Sequence, residues 1–432
     1  MSSASLVSPC LLALSLIIPS LVSSHSAAFA LSTQRSADEG ALRALAEAYF
    51  LSWPAKDLDG FLGLWMSGSP DLESRKQAMQ KFFKDHEQIE VKSPIVQRVT
   101  VEGDKAKLRV DVEIDAVEIK TGKPVAGPGL RRLVITCARE NDKWRVWSEE
   151  TAYEDLAKAL VATAAEKDRD NLLTGEKDLW SPDLTLAVNR VGIRIASQGL
   201  YPEALNAFRI AQRTAEMIND PVGTASALGN IGLIHFNQGS YEPALESIQK
   251  SLRLAQAIPD EVVVANSWNN LGLVYQGQGN FSLALESYKK SLEMAETRKD
   301  KTSIAIALGN IGNVYNAQGN YRLAAQSYQK SRAYYREDGV KAGEGRILNS
   351  LGNIEYYQGN LDLALEFYKE SLALKQETGN VVEQSRTMNA LGRIYALKGD
   401  YQSAEEFHRK SLAINEATNT KGEIAKSFRS LG

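Results

Sequence analysis

Cysteine is nearly absent: the 432 residues hold only Cys10 and Cys137. If Cys10 leaves with an export signal, no internal disulfide can form, so stability must come from packing. Histidine is almost as scarce. The three beyond residue 30, His86, His235 and His408, lie far apart and form no His-Glu-x-x-His or Cys/His cluster, which argues against a metal site. An excess of charge of one sign is also missing. Fifty basic and 53 acidic residues leave a net charge of −3, with cations interspersed among acids throughout. Nothing in that balance attracts nucleic acid or anionic lipid. No nucleophile elbow, Walker loop or dinucleotide fingerprint occurs, and Gly277-Gln278-Gly279 lies at a helix–helix turn rather than after a strand. The chain is therefore expected to be non-catalytic and to need no cofactor.

Long apolar runs are missing too. Leu11 to Val22 is broken only by Ser15, Pro19 and Ser20, and is short of the ~20 residues a bilayer span needs. The first 30 residues carry no Asp, Glu, Lys or Arg, and Ala28-Phe29-Ala30 has small residues at the spacing of a signal-peptidase site. Residues 1–30 thus read as a cleavable signal that exports the protein to the periplasm or beyond, leaving no membrane span. Met1 to Cys10 lack a basic side chain, so a mis-called start is the alternative. The content that remains, 44% hydrophobic and 24% charged, is that of a soluble globular protein of two or more units.

What the chain has in abundance is self-similarity. Glycine recurs every 40 residues at Gly192, Gly232, Gly272, Gly312, Gly352, Gly392 and Gly432. A second glycine keeps the step at 199, 239, 279, 319, 359 and 399. Alanine does so at Ala204, Ala244, Ala284, Ala324, Ala364 and Ala404. Such a period is the signature of a stacked repeat array. Before it, residues 36–152 read as α+β. Leu42, Leu45, Ala46 and Tyr49 share one helical face, Asp57 opens a short helix, and Ser74 to Glu87 reads as a third. Leu108, Val110, Val112, Ile114 and Ala116 then alternate with Lys107, Arg109, Asp111, Glu113 and Asp115, a half-buried antiparallel strand. Its phase slips at Val117 and Ile119, which predicts a bulge. Hairpins are expected across Gly103-Asp104 and Asn141-Asp142. Residues 153–184 read as a helical adaptor that caps the array.

Two resemblances follow from these residues. The order helix–helix–helix–hairpin–long bent strand–hairpin, with the stretch Asp57 to Trp65 and Lys143-Trp144-Arg145-Val146-Trp147, resembles the nuclear-transport-factor-two-like (SnoaL-like) cone. Members of that family use the cone as a pocket or as a bare interaction module. Residues 185–432 resemble tetratricopeptide repeats in a 40-residue variant. The reference copy is Asn269-Asn270-Leu271-Gly272 … Tyr275 … Gly279-Asn280-Phe281 … Ala284-Leu285 … Tyr288 … Ser291-Leu292. In each copy the first glycine and the alanine let helix A approach helix B closely, and the turn glycine ends helix A at positive φ. Six repeats and the start of a seventh are expected, Gly432 falling partway along an unfinished helix A. The fold class is mainly α: a right-handed α-solenoid behind a small α+β cone. The order of export signal, cone and 40-residue repeats also resembles bacterial proteins that carry a caspase-like CHAT peptidase after the array, which implies as the alternative function that this chain is the sensing, regulatory half of such a protease.

Candidate chemistry is thin in the cone. Asp111, Glu113 and Asp115 form a carboxylate row, and Tyr49, Trp53 and Trp65 could line a cavity, which would suit acid–base work or a small ligand. The alternation puts the acids opposite the apolar face, so a solvated outer surface is the stronger reading. Cys137 reads as a small core residue, and His235 and His408 as packing positions in the repeats. The array offers more. The inner face of each helix A should hold the positions three before, two before and one after the first glycine. Asparagine fills them at Asn189, Asn269, Asn349 and Asn389, at Asn230, Asn270 and Asn310, and at Asn313 and Asn353, joined by Arg346, Arg386 and Arg393. Amides can bond an extended peptide whatever its sequence, and arginine adds carboxylate or phosphate recognition. The alternative is that the amides bond neighbouring repeats or water. The expected function is therefore a scaffold that binds a protein or peptide, with no nucleic acid and no metal.

Overall fold

A computed structural model describes residues 36–124, 130–258 and 260–417. The expected export signal and the start of a seventh repeat lie outside these. The chain divides into two compact units between Leu179 and Trp180.

The first unit opens with a helix over residues 36–51 (α1), then α2 (Leu58–Gly63) and α3 (Leu72–Asp85). The Asp57 side chain caps α2 by accepting from the amide of Gly60. A four-stranded antiparallel meander follows in the order β1 (His86–Glu102), β2 (Lys105–Glu118), β3 (Leu130–Glu140) and β4 (Lys143–Thr151). Both expected hairpin turns form: Gly103 takes φ +61°, and Asn141 and Asp142 take +51° and +61°, the signs of a two-residue hairpin turn. The alternation of β2 holds as read. Ala106, Leu108, Val110, Val112, Ile114 and Ala116 are buried against the helices, and Cys137 and Ile135 join them from β3.

Three points differ. The strand before the first turn starts at His86, not near Val99, because α3 runs directly into β1. Pro94 and three irregularities in pairing blur its alternation, which β1 tolerates as an edge strand. The bulge expected from the slip at Val117 sits on the partner strand, between Glu87 and Glu90. Finally, the expected adaptor helices, α4 (Ala152–Ala162) and α5 (Glu166–Gly175), belong to the first unit rather than to the array. A Thr151/Glu154 capping box starts α4. These helices cover part of the sheet's outer face, where Val134 is buried and Arg109 pairs with Glu176 and Asp178.

Among the described residues the second unit is six helix pairs: α6 (Pro182–Ser197) with α7 (Tyr201–Met217), α8 (Pro221–Asn237) with α9 (Tyr241–Gln256), α10 (Glu261–Gly277) with α11 (Phe281–Thr297), α12 (Lys301–Ala317) with α13 (Tyr321–Glu337), α14 (Lys341–Gln358) with α15 (Leu361–Glu377), and α16 (Val381–Leu397) with α17 (Tyr401–Ala417). Helix A of repeat 1 begins at Pro182, three residues before the expected Thr185. The first glycine of each repeat does the steric work its register implies. A Cβ on Gly272 would stand 2.5 Å from the Tyr288 ring, and one on Gly312 2.7 Å from the Tyr328 ring. Ala204, Ala244, Ala284, Ala324, Ala364 and Ala404 are all buried beside them. A serine on helix B clasps four of the six pairs: Ser251, Ser331, Ser371 and Ser411 donate to the carbonyls of Ala225, Ala305, Gly345 and Ser385. In repeats 1 to 4 successive A helices touch, α6 with α8, α8 with α10 and α10 with α12, while successive B helices stand further apart. Over those repeats the stack is tighter on its A side.

Candidate binding faces of the array and the first unit

In the first unit the acids and the aromatics part company. Lys92 on β1 pairs with Glu113 at 2.7 Å and with Asp115 at 3.5 Å, and Gln97 bonds Asp111 at 3.2 Å, all on the outer face. That face is only partly solvated, because Lys107 and Arg109 are drawn to Asp155, Glu176 and Asp178 of the α4–α5 segment. Tyr49, Trp53 and Trp65 are buried in the core among Phe50 and Phe61, with the Tyr49 and Phe61 rings 4.9 Å apart. The Tyr49 hydroxyl donates to Glu149, and burial holds it well above its ordinary pKa. The carboxylate row thus has no aromatic pocket to act in. Cys137 is fully buried, and burial pushes its thiol up to about 12, so it is no nucleophile.

The array's asparagines fall into three groups. Asn230 donates its amide to the Asn189 oxygen at 3.1 Å, and Asn310 to the Asn269 oxygen at 2.8 Å. Thr387 similarly donates to Asn349. These bonds cross from one repeat to the next, so Asn230, Asn269, Asn310 and Asn349 are seam contacts first. For these residues the alternative reading, that the amides bond neighbouring repeats, holds. In the second group the side-chain oxygen is held by helix B. Tyr328 donates to Asn313 at 2.7 Å and Tyr368 to Asn353 at 2.6 Å, while His408 meets Asn389 at 2.9 Å. With its oxygen committed to a tyrosine hydroxyl, the amide of Asn313 or Asn353 keeps its orientation and both N–H donors. Asn270 forms the third group alone. Its amide lies over Gly229, where the neighbouring repeats place a partner asparagine, and it makes no hydrogen bond among the described residues.

The three arginines are exposed on the A helices of repeats 5 and 6. Arg386 pairs with Glu383 at 2.7 Å. Arg393 stands over the Tyr356 ring at 5.3 Å, and Arg346 lies beside Tyr335, whose hydroxyl it pulls back against the upward push of burial. Among the described residues neither Arg346 nor Arg393 makes an ion pair. Beneath them the seam is polar: buried Lys375 donates to Thr387 at 2.8 Å and lies 3.4 Å from Glu383. Repeats 1 to 3 place Ala215, Ala255 and Ala295 at that position, so Lys375 was readable in the sequence as a departure from the period. His408 is buried against Gly392 where repeats 3 to 5 place tyrosine, and burial lowers its pKa, as does Arg393. No group of three His, Cys, Asp or Glu among the described residues is placed to hold a metal ion. No helix of the described residues is long and apolar enough to cross a membrane.

Comparison with known proteins agrees with this architecture. Tetratricopeptide repeat family models match residues 224–258, 263–337 and 343–417, and the array is one of tetratricopeptide repeats. No curated protein matches the chain. Among solved structures, BtubC from P. vanneervenii is similar at 20% identity and TM-score 0.43, over 54% of this chain and 92% of its own. A signal-transduction ATPase with a tetratricopeptide repeat sensor from Pyrococcus horikoshii is similar at 18% identity and TM-score 0.47, over 60% of this chain and 39% of its own. A Rap protein complexed with Competence and Sporulation Factor is similar at 16% identity and TM-score 0.45, over 61% of this chain and 79% of its own. Likeness this remote carries no partner across.

Proposed function

We propose that the chain is a protein-interaction scaffold whose A-helix face, over repeats 4 to 6, binds an extended peptide or protein segment. The observation that carries this reading is the orientation of Asn313 and Asn353. With each oxygen taken by Tyr328 or Tyr368, their N–H groups are preset donors for peptide carbonyls. Arg346 and Arg393, exposed and without ion pairs among the described residues, add two guanidinium forks for acidic groups of the segment. Asn270 extends the donor row toward repeat 3.

Selection of a random-peptide phage library on the full chain tests the proposal. Peptides that bind should lose affinity about tenfold or more, ~1.4 kcal/mol, in an Asn313→Ala/Asn353→Ala/Arg393→Ala variant that keeps its melting temperature. Selected peptides that bind this variant as tightly as the parent would refute the assignment. The first unit we read as a cone of the nuclear-transport-factor-two-like type, supported by its element order and its aromatic core. Export rests on residues 1–30, and N-terminal sequencing of the mature protein would test it.

A further inference from the structure

On the B side of the array, one seam departs from the seam that follows it. Between α7 and α9, over α8, lies an open groove of about 600 Å³ lined by Arg209, Gln212, Thr224, Leu228, His235 and Arg253, among others. The 40-residue period explains why it is open. The next seam places Leu252, Val264, Trp268 and Tyr275 where this one has Gln212, Thr224, Leu228 and His235. There the Lys290 ammonium sits 4.2 Å from the Trp268 ring centre. Its counterpart here, Lys250, faces the groove instead. The space is therefore made by residues smaller or more polar than those of the next seam.

Its charge has changed as well. Arg209, Lys250 and Arg253 line the groove against one acid, Glu216, whereas the next seam has Gln249, Lys290, Glu293 and Gln256 in the same places. Lys250 is paired with Glu246 at 2.7 Å. Arg209 and Arg253 make no ion pair among the described residues, and Glu216 accepts only a neutral donor, Gln212. His235 is kept toward its neutral form by burial and by Arg209. Leu228 and Ile231 supply a buried apolar floor, and Leu254 a half-exposed one.

We propose that this groove is a second docking site, on the B side of the array, for an acidic segment of a partner protein. Two unpaired guanidinium groups beside an apolar floor fit carboxylates that alternate with aliphatic side chains. Charge complementarity selects that occupant over a second copy of this chain, whose net charge of −3 is spread among mixed signs. The site uses none of the residues of the A-helix face, so the two assignments stand or fall separately.

The test is fluorescence anisotropy on the full chain with a labelled Glu-Leu-Glu-Leu-Glu peptide, with Gln-Leu-Gln-Leu-Gln as the neutral probe. The acidic peptide should bind with a dissociation constant below about 1 mM at physiological salt, and the neutral one at least tenfold more weakly. Arg209→Ala/Arg253→Ala should weaken binding about tenfold. Thr224→Ile/Leu228→Trp fills the groove with residues the array already uses, keeps every charge, and should weaken binding as much while the melting temperature holds. Arg346→Ala/Arg393→Ala on the other face should change it less than about twofold. Absence of binding, equal binding of the neutral peptide, or full binding by the filled groove would overturn the proposal.

Discussion

The two units use charge differently. In the first, the cations of the outer sheet face are spent internally: Arg109 on Glu176 and Asp178, Lys107 on Asp155, Lys92 on Glu113. In the array, stacking is handled by glycine, alanine, tyrosine and serine at fixed register, with ion pairs such as Lys301 with Glu337 and Lys341 with Glu377 between the two helices of a pair. Several cations there, Arg209, Arg253, Arg346 and Arg393, make no ion pair among the described residues. Where a fold must invent a core once, its polar residues are recruited to hold it. Where a period does the holding, residues that leave the period are spare, and binding can use them.

Breaking that contrast should give effects of graded size. Tyr328→Ala removes the ring that Gly312 makes room for, and should cost about 3–5 kcal/mol. Hydrogen exchange should show the loss in α12, α13 and their neighbours, with the first unit's protection unchanged, as expected of a nearest-neighbour array. Next come paired substitutions of arginine. Arg109→Ala strands two acids and should destabilise the first unit by ~1–3 kcal/mol, whereas Arg393→Ala should stay within about 0.5 kcal/mol. Equal costs in thermal unfolding would erase the distinction between spent and offered charge.

The seam asparagines come third. A double-mutant cycle of Asn269→Ala and Asn310→Ala should return a coupling of about 0.5–1.5 kcal/mol, and a value near zero would mean that the amide bond holds nothing. The smallest effects are in pH. Burial lowers the pKa of Lys375, so the folded chain sheds this proton before the unfolded chain does. Stability attributable to it rises with pH from the lowered folded value up to about 10.5. Lys375→Met should therefore stabilise most near neutral pH, with its advantage shrinking as pH rises toward that limit. His408 is also lowered by burial, so its contribution is complete above about 6.5 and falls away as pH drops toward the folded value. His408→Tyr, the residue of repeats 3 to 5, should remove that acid sensitivity from the last helix pair, as followed by hydrogen exchange.

The sequence made the array legible to within a few residues, because each copy confirms the next: Gly272, Ala284 and Gly279 each take the role their spacing implies. It was weaker wherever a residue's partner is remote. Pro94 and the pairing shifts of β1 hide half of a strand, since an edge strand need not alternate cleanly. Glu176 lies 67 residues beyond Arg109, so the pattern of α5 could not say which unit it joins. The asparagine pairs join residues 41 apart, one more than the period, and so link different columns of the alignment. The B-side groove was present as departures from register, of which only His235 stood out.

The central claim is that the A-helix face of repeats 4 to 6 is a peptide site built from preset amides and unpaired arginines. Its most direct measurement is the affinity of a phage-selected peptide for the full chain and for the Arg346→Ala/Arg393→Ala variant, taken with the melting temperature of each. The account predicts a loss of about tenfold or more at an unchanged melting temperature. Undiminished affinity in the variant would contradict it.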